Sequence, residues 1–257
     1  MLAVEGMPAT YGSLHRRERR ADRDATVVRR LRAAGAIPLA VTNVPEWGLW
    51  FETYNLIHGR TSNPYDPGRT AVGSSGGEAG AVGGGGVTFC GIFAHKPTHG
   101  LLPMTGHYPI LESGPDAGAC PPVPQVTVGP LARSARDLLP LLRITAGPDG
   151  VDPGAESMPL PPAAASDADW RGRTVLLLED PRIGLAARAD PAVRDAVRRA
   201  GSALEARGAA VEPLEPTVFH ATIELWYAAL RSAAGPSVRH VLSDGRGLDL
   251  PLELLRL

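Results

Sequence analysis

Three observations predict an α/β fold. Residues 174–178 (TVLLL) form a short apolar run, a strand candidate, and residues 209–212 begin another strand. Between them lies a segment with helical spacing and signals at both ends. The joints are short, and strand, helix and strand so connected imply a right-handed parallel crossover. The composition agrees, since 44% hydrophobic and 21% charged residues are those of an ordinary globular chain.

Taking the elements in order, residues 24–35 read as a helix. Asp24 is placed to cap it, Val27, Val28, Leu31 and Ala34 share one face, and Gly35 stands where a left-handed terminating residue belongs. Residues 36–41 are a short apolar run, the pattern of a buried strand. Residues 58–106 are crowded with Gly, Pro, Ser and Thr, so turns and close backbone approaches are expected there rather than regular elements. A helix is expected over 135–146, opened by Ser134 and Asp137 in the manner of a capping box, with Pro140 forcing a kink or a late start. Residues 148–169 read as a linker. Asp190 and Pro191 open the crossover helix, Val193, Val197, Ala200 and Leu204 are spaced for its buried face, and Gly208 ends it. The βαβ-like segment is thus 173–213. Ile223, Trp226, Tyr227 and Leu230 have helical spacing, and residues 248–257 end in leucines that look exposed.

The charge balance excludes several functions. Lys plus Arg number 26 against 27 Asp plus Glu, a net charge of −1, so no overall field draws the chain to nucleic acid or an anionic membrane. No apolar run is long enough to span a bilayer, and the opening residues, with Glu5 and no basic stretch, do not read as a secretory leader. Cys90 and Cys120 are too few for a disulfide framework or a cysteine-rich zinc site, which fits a reduced, cytoplasmic setting. His58, His95, His99 and His107 lack the spacing of a metal motif, so neither metal nor cofactor is expected.

The peptide Gly73-Ser74-Ser75-Gly76-Gly77 is the most unusual in the chain. Its glycines allow the backbone to approach a substrate closely, and its two hydroxyls are nucleophile candidates. The pattern also fits a nucleophile elbow at Ser75, which requires a strand directly before the serine. Asp180, with His220 or His240, would complete the esterase constellation of that reading.

The surrounding blocks point elsewhere. GRTSNPYDPGRTAVGSSGGEAGA over 59–81 resembles the core of the amidase signature family. VEGMPATYGS, DATVVRRLRAAGAIPLAVTNVPEWG, FCGIFAHKPTHGLLP, GPLARSARDLLPLLRITAGPDGVDP and WRGRTVLLLED are similar to its flanking blocks, in the same order. LWFETYN leans toward the fatty-acid amide hydrolase branch. The resemblance implies a mixed, largely parallel sheet flanked by helices, incomplete here at both ends, and a single partial domain over 1–257. It also implies amide hydrolysis by a serine, a cis-serine relay and a neutral lysine base. Ser74 matches the relay and Ser75 its neighbour, with Gly73, Gly76 and Gly77 completing the signature loop.

The nucleophile block is missing. Gly83 to Gly86 run straight into Val87, Thr88 and Phe89, where the family order calls for roughly fifteen more residues. The base lysine should precede the GMP block, and the chain starts just after that place. Its single lysine, Lys96, falls in a different block. Val72 stands where the family has glycine and would be strained at positive φ. The expectation is therefore an internally deleted and truncated amidase, catalytically deficient. A non-catalytic ligand- or partner-binding protein and the Ser75 esterase are the alternatives. A small-molecule amide is the expected substrate, without nucleic acid.

Overall fold

The computed structural model describes residues 1–83, 92–107, 126–162, 169–182 and 188–219, and parts of 221–229. Cys90, Cys120, His220, His240, the junction beyond Gly83, the apolar positions of the 223–230 segment and the terminal leucines lie outside the described residues. The chain divides into two compact units, one holding Met1–Leu160 and the other Pro161–Ala233.

In the first unit, helix α1 spans Thr26–Ala33. Asp24 does not cap it. Its Oδ1 accepts from the Glu5 N–H (2.8 Å), its Oδ2 pairs with Arg32 Nε (2.8 Å), and the N-cap residue is Ala25. The other end is as expected. Gly35 has φ +92, and the N–H groups of Gly35 and Ala36 donate to the carbonyls of Arg32 and Leu31, closing the helix with a left-handed glycine turn. Val27 and Val28 pack with Ala3, Val4, Leu101, Leu102 and Leu142 in the core. Each such fully buried Val or Leu side chain contributes about 1.5–3 kcal/mol.

Helix α2 is Gly76–Gly83, and α3 is Leu138–Thr145. The late start expected from Pro140 is observed. A 3-10 turn over Ala135–Asp137 absorbs the entry, and Ser134 Oγ accepts from the Arg136 N–H. Pro140 then falls in the first turn of α3, where its missing N–H has no helical carbonyl to serve.

Residues 36–41 are not a strand, contrary to the expectation. Ile37 is 80% exposed and Leu39 89% exposed. An apolar run becomes a strand only when a neighbour takes its backbone groups, and among the described residues this run has no ladder partner; Pro38 also lacks a donor.

The strands of the first unit are short. β1 (Tyr54–Asn55) and β2 (Gly59–Arg60) form an antiparallel hairpin, as do β3 (Phe93–Ala94) and β4 (Leu131–Ala132) an antiparallel pair. Arg30 of α1 satisfies the carbonyls at the end of α3. Its Nη1 donates to Thr145, Ala146 and Gly147 (2.7–2.9 Å) and its Nη2 to Pro148 (2.7 Å).

The second unit contains the expected crossover. β5 (Thr174–Leu177) pairs in parallel with β6 (Ala210–Pro213), and α4 (Pro191–Glu205) connects them. Asp190 Oδ1 accepts from the Ala192 N–H (2.8 Å), and Pro191 opens the helix. The buried face differs from the one anticipated, since Val193 and Ala200 are exposed while Gly201 is buried. A Cβ on Gly201 would lie 3.0 Å from Leu177 Cδ1, so the glycine lets α4 settle close on β5. No described helix is long and apolar enough to cross a membrane.

Asp149 links α1 to the segment after α3. Its Oδ2 accepts from Thr26 Oγ1 (2.6 Å), and its Oδ1 from the N–H groups of Val151 and Asp152 (2.9 Å each). Burial pushes its pKa up, but the Thr26 hydroxyl, the Asp152 N–H, the Thr105 hydroxyl and the Val151 N–H outweigh it and hold the pKa at about 2, below the ordinary 3.8. A depressed carboxylate stabilises the fold above its unfolded pKa and loses that contribution as pH falls through the folded value. Wild type is therefore expected to exceed Asp149→Asn in stability by a constant margin above about pH 5, with most of that margin lost by about pH 2, in urea titrations across that range.

Candidate active-site loop

The loop that carries Ser74 and Ser75 enters from Thr70, which bridges to Ser62, and leads straight into α2. The Gly73–Ser74 peptide bond is cis. Ser74 is exposed and Ser75 half-buried. The Ser75 carbonyl accepts the first helical bond, from the Ala79 N–H at 3.0 Å.

What fixes this loop lies beneath it. Thr53 is fully buried, and its hydroxyl donates to the Val72 carbonyl (2.8 Å) while accepting from the Gly76 N–H (2.9 Å). One side chain thereby holds the backbone on both sides of the serine pair and caps α2. The Gly77 N–H donates to the Asn43 carbonyl (3.2 Å). Asn43 in turn is locked by its side chain, with Nδ2 donating to the Gly59 carbonyl and Thr61 Oγ1, and Oδ1 accepting from Asn55 Nδ2 (2.6 Å). Asn55 Oδ1 takes the N–H groups of Ile57 and His58, which shapes the turn between β1 and β2.

The glycines, expected from the sequence to serve substrate approach, have a packing role. A Cβ on Gly73 would come 3.0 Å from the backbone of Trp50 and Phe51. One on Gly76 would strike the Thr53 side chain, and one on Gly77 the backbone of Asn43. All three therefore press the serine loop onto residues 43–53. Val72 adopts φ +63, the left-handed region in which a β-branched side chain crowds its own backbone.

Ser75 and Glu78 line a cavity of about 670 Å³, together with His58, Asn43, Ile37 and Val28. Sequence reasoning missed Thr53, Asn43 and Asn55. The available signal was a set of small polar residues between apolar runs, and nothing local says which of them become buried. Nor does any local signal assign His58 and Glu78 to this site. Lys96 is exposed, and its Nζ donates to the Pro97 carbonyl (3.3 Å). Among the described residues, no three of the types His, Cys, Asp and Glu converge as a metal site.

The elbow geometry is not present. Residues 71–75 contain no strand, so the feature required ahead of Ser75 is a loop instead. Asp180, its suggested partner, belongs to the other compact unit.

Comparison with known proteins is consistent over most of the chain. The profile of the family described as Amidase matches residues 1–249. Fatty-acid amide hydrolase 2 of Homo sapiens is 40% identical over 161 residues, covering 56% of this chain and 29% of that protein. A glutamyl-tRNA(Gln) amidotransferase subunit of Haloarcula marismortui is 31% identical over 257 residues, covering 92% of this chain and 57% of the relative. The solved structure of a bacterial aryl acylamidase of the amidase signature family superposes with a TM-score of 0.75 at 23% identity, covering 100% of this chain and 56% of the other. The α/β fold is that of these enzymes, and the chain spans under two thirds of the length of each.

Two substitutions report on the loop's construction. Gly77→Ala is expected to destabilise the chain by about 1–3 kcal/mol through overpacking against Asn43. Gly80→Ala is the control, because its added methyl meets only Thr61 Cγ2 at 3.4 Å; helix propensity should make it neutral or stabilising by up to about 1 kcal/mol. Urea denaturation of the two variants side by side reads the difference. Separately, Val72→Gly relieves a left-handed residue, worth about 1–2 kcal/mol, against about 0.5–1 kcal/mol of added unfolded-state entropy. A net gain of about 0.5–1 kcal/mol is expected, seen as a higher melting temperature.

Proposed function

The chain belongs to the amidase signature family, and on that footing we propose that it carries the family's scaffold for amide hydrolysis but is catalytically deficient on its own. One observation supports this above the rest. The serine loop is fully built and faces a cavity, while the chain's single lysine, Lys96, is exposed and gives its Nζ to the neighbouring Pro97 carbonyl. A serine hydroxyl is a weak nucleophile without an adjacent base, and a lysine serves as base only where its surroundings lower its pKa. The direct passage from the glycine run at 83–86 into Val87 supports the same reading, because the nucleophile block has no residues to occupy. Loss of nucleophile and base together costs about six orders of magnitude in turnover in serine hydrolases with comparable machinery.

The substrate class of the scaffold is a carboxylic amide with an apolar acyl group. Identity to the human fatty-acid amide hydrolase supports this, as do exposed Leu49, Trp50 and Phe51, the last two of which set their backbone against Gly73. A cytoplasmic setting accompanies the reading. Both compact units are parts of one amidase domain in this proposal, a view supported by a family match that runs from residue 1 to residue 249. A second reading, ligand binding without turnover, is favoured by the 670 Å³ cavity beside Ser75.

Fluorophosphonate treatment of the purified chain, read by intact mass, separates these possibilities. No adduct is expected on wild type. An adduct abolished by Ser75→Ala and kept by Ser74→Ala would overturn the proposal and establish a recruited nucleophile. A thermal shift with a fatty-acid amide, in the absence of hydrolysis, would favour the binding reading.

A further inference from the structure

Residues 36–44 (AIPLAVTNV) follow α1 without a turn or bend. The stretch is anchored at its two ends. The Ala36 N–H returns to the Leu31 carbonyl, the Asn43 carbonyl takes the Gly77 N–H, and the Val44 carbonyl takes Asn55 Nδ2. Between those anchors, no described residue bonds to the N–H groups or carbonyls of 37–42. Val41 packs against the core, half-buried, while Ile37 and Leu39 stand in solvent. The stretch carries no charge. An apolar backbone with unpaired edges is a template for another strand, and proteins ordinarily blunt such an edge with lysine or cover it.

Pro38 decides which edge can pair. In an extended strand, successive residues present their N–H and carbonyl groups to opposite edges. Pro38, Ala40 and Thr42 share one edge, which lacks a donor at the proline. Ile37, Leu39 and Val41 share the other, which keeps all of its donors and acceptors. That open edge is bounded, because the Asn43 carbonyl is taken by Gly77 and because Gly35, at φ +92, turns the chain into α1.

We propose that residues 37–41 are a dimerisation strand, pairing antiparallel with the same strand of a second copy. The order Ile37, Leu39, Val41 reads alike in both directions, with a β-branched aliphatic at each end and leucine between. Paired about Leu39, the strand sets Leu39 against the partner's Leu39 and Ile37 against the partner's Val41. Each such pair exchanges both of its backbone hydrogen bonds. The partner's Ile37 then lies beside Val41 and extends the core across the contact. Self-matching of this kind is what a twofold interface between identical chains requires. The net charge of −1 adds little repulsion between copies.

Sedimentation velocity of the full-length chain over a concentration series tests this. Wild type is expected to pass from monomer to dimer without larger species, because a twofold contact closes on itself. Leu39→Lys is expected to raise the dissociation constant at least about tenfold, since two like charges then face each other at the axis. Leu39 is exposed, so the change leaves the core untouched. Leu176→Lys, at an exposed leucine of the second unit, is the control and should leave association unchanged. Leu39→Cys reads the register. Directly paired strand residues lie about 5.5 Å apart at Cα, within the span of a disulfide. Mild oxidation should therefore link two chains through position 39, as identified by peptide mapping. A wild type that stays monomeric, open-ended association, a dimer as tight in Leu39→Lys as in wild type, equal weakening by Leu176→Lys, or no link through position 39 would overturn the proposal.

Discussion

The hydroxyl of Thr53 is the point on which the serine loop rests. It is wholly buried, it donates to Val72 and it accepts from Gly76, so the backbone before and after the serine pair is tied to one oxygen. Thr53 is itself held, because its carbonyl accepts from the Thr61 N–H, and Thr61 meets Asn43 through its hydroxyl. Asn43 returns to the loop by accepting from the Gly77 N–H. The bonds form a closed ring of polar groups, buried at Thr53 and half-buried at Asn43 and Thr61. Such rings are stable only when every member is satisfied, since a single missing partner strands a donor or acceptor away from water.

The same arrangement explains the glycines. A ring of short bonds draws the loop against residues 43–53 until no Cβ fits at Gly73, Gly76 or Gly77. Val72 is the exception that the ring tolerates. Its positive φ is imposed by the turn that brings its carbonyl to Thr53, and valine meets that demand at a cost glycine would avoid.

Legibility in the sequence followed the range of the interactions. Asp190, Pro191 and Gly208 signal the ends of α4 through contacts a few residues long, and Gly35 and Pro140 act within a turn of their helices; each behaved as its local chemistry dictates. Asp24 misled because a carboxylate two residues ahead of a helix has other partners available, here Glu5 and Arg32. Residues 36–41 misled for a related reason. An apolar run specifies that it can be a strand, whereas becoming one depends on a neighbour distant in sequence. The buried face of α4 is rotated slightly from its apolar spacing because Gly201, which carries no hydrophobic signal, is the residue that meets β5. The polar ring was illegible altogether. Thr53, Asn43 and Asn55 are unremarkable turn formers until the hairpin of β1 and β2 brings them together.

This difference bears on how an amidase-like site is to be interpreted. The motif at 73–77 is the most recognisable stretch of the chain, yet every residue in it except the two serines is accounted for by packing and backbone bonds. Its contacts run to Asn43, Thr53 and the 50–51 backbone, none of which performs chemistry in the proposed mechanism. A loop so constrained keeps its shape whether or not a nucleophile and a base stand nearby, because nothing in its construction depends on them. The motif therefore attests to the scaffold, and the question of activity passes to residues outside it. In this chain those are a single lysine bonded to its own neighbour and a glycine run that passes directly into Val87 in the sequence. A preserved loop is therefore compatible with the catalytic deficiency proposed above, since loop and chemistry are held by different interactions.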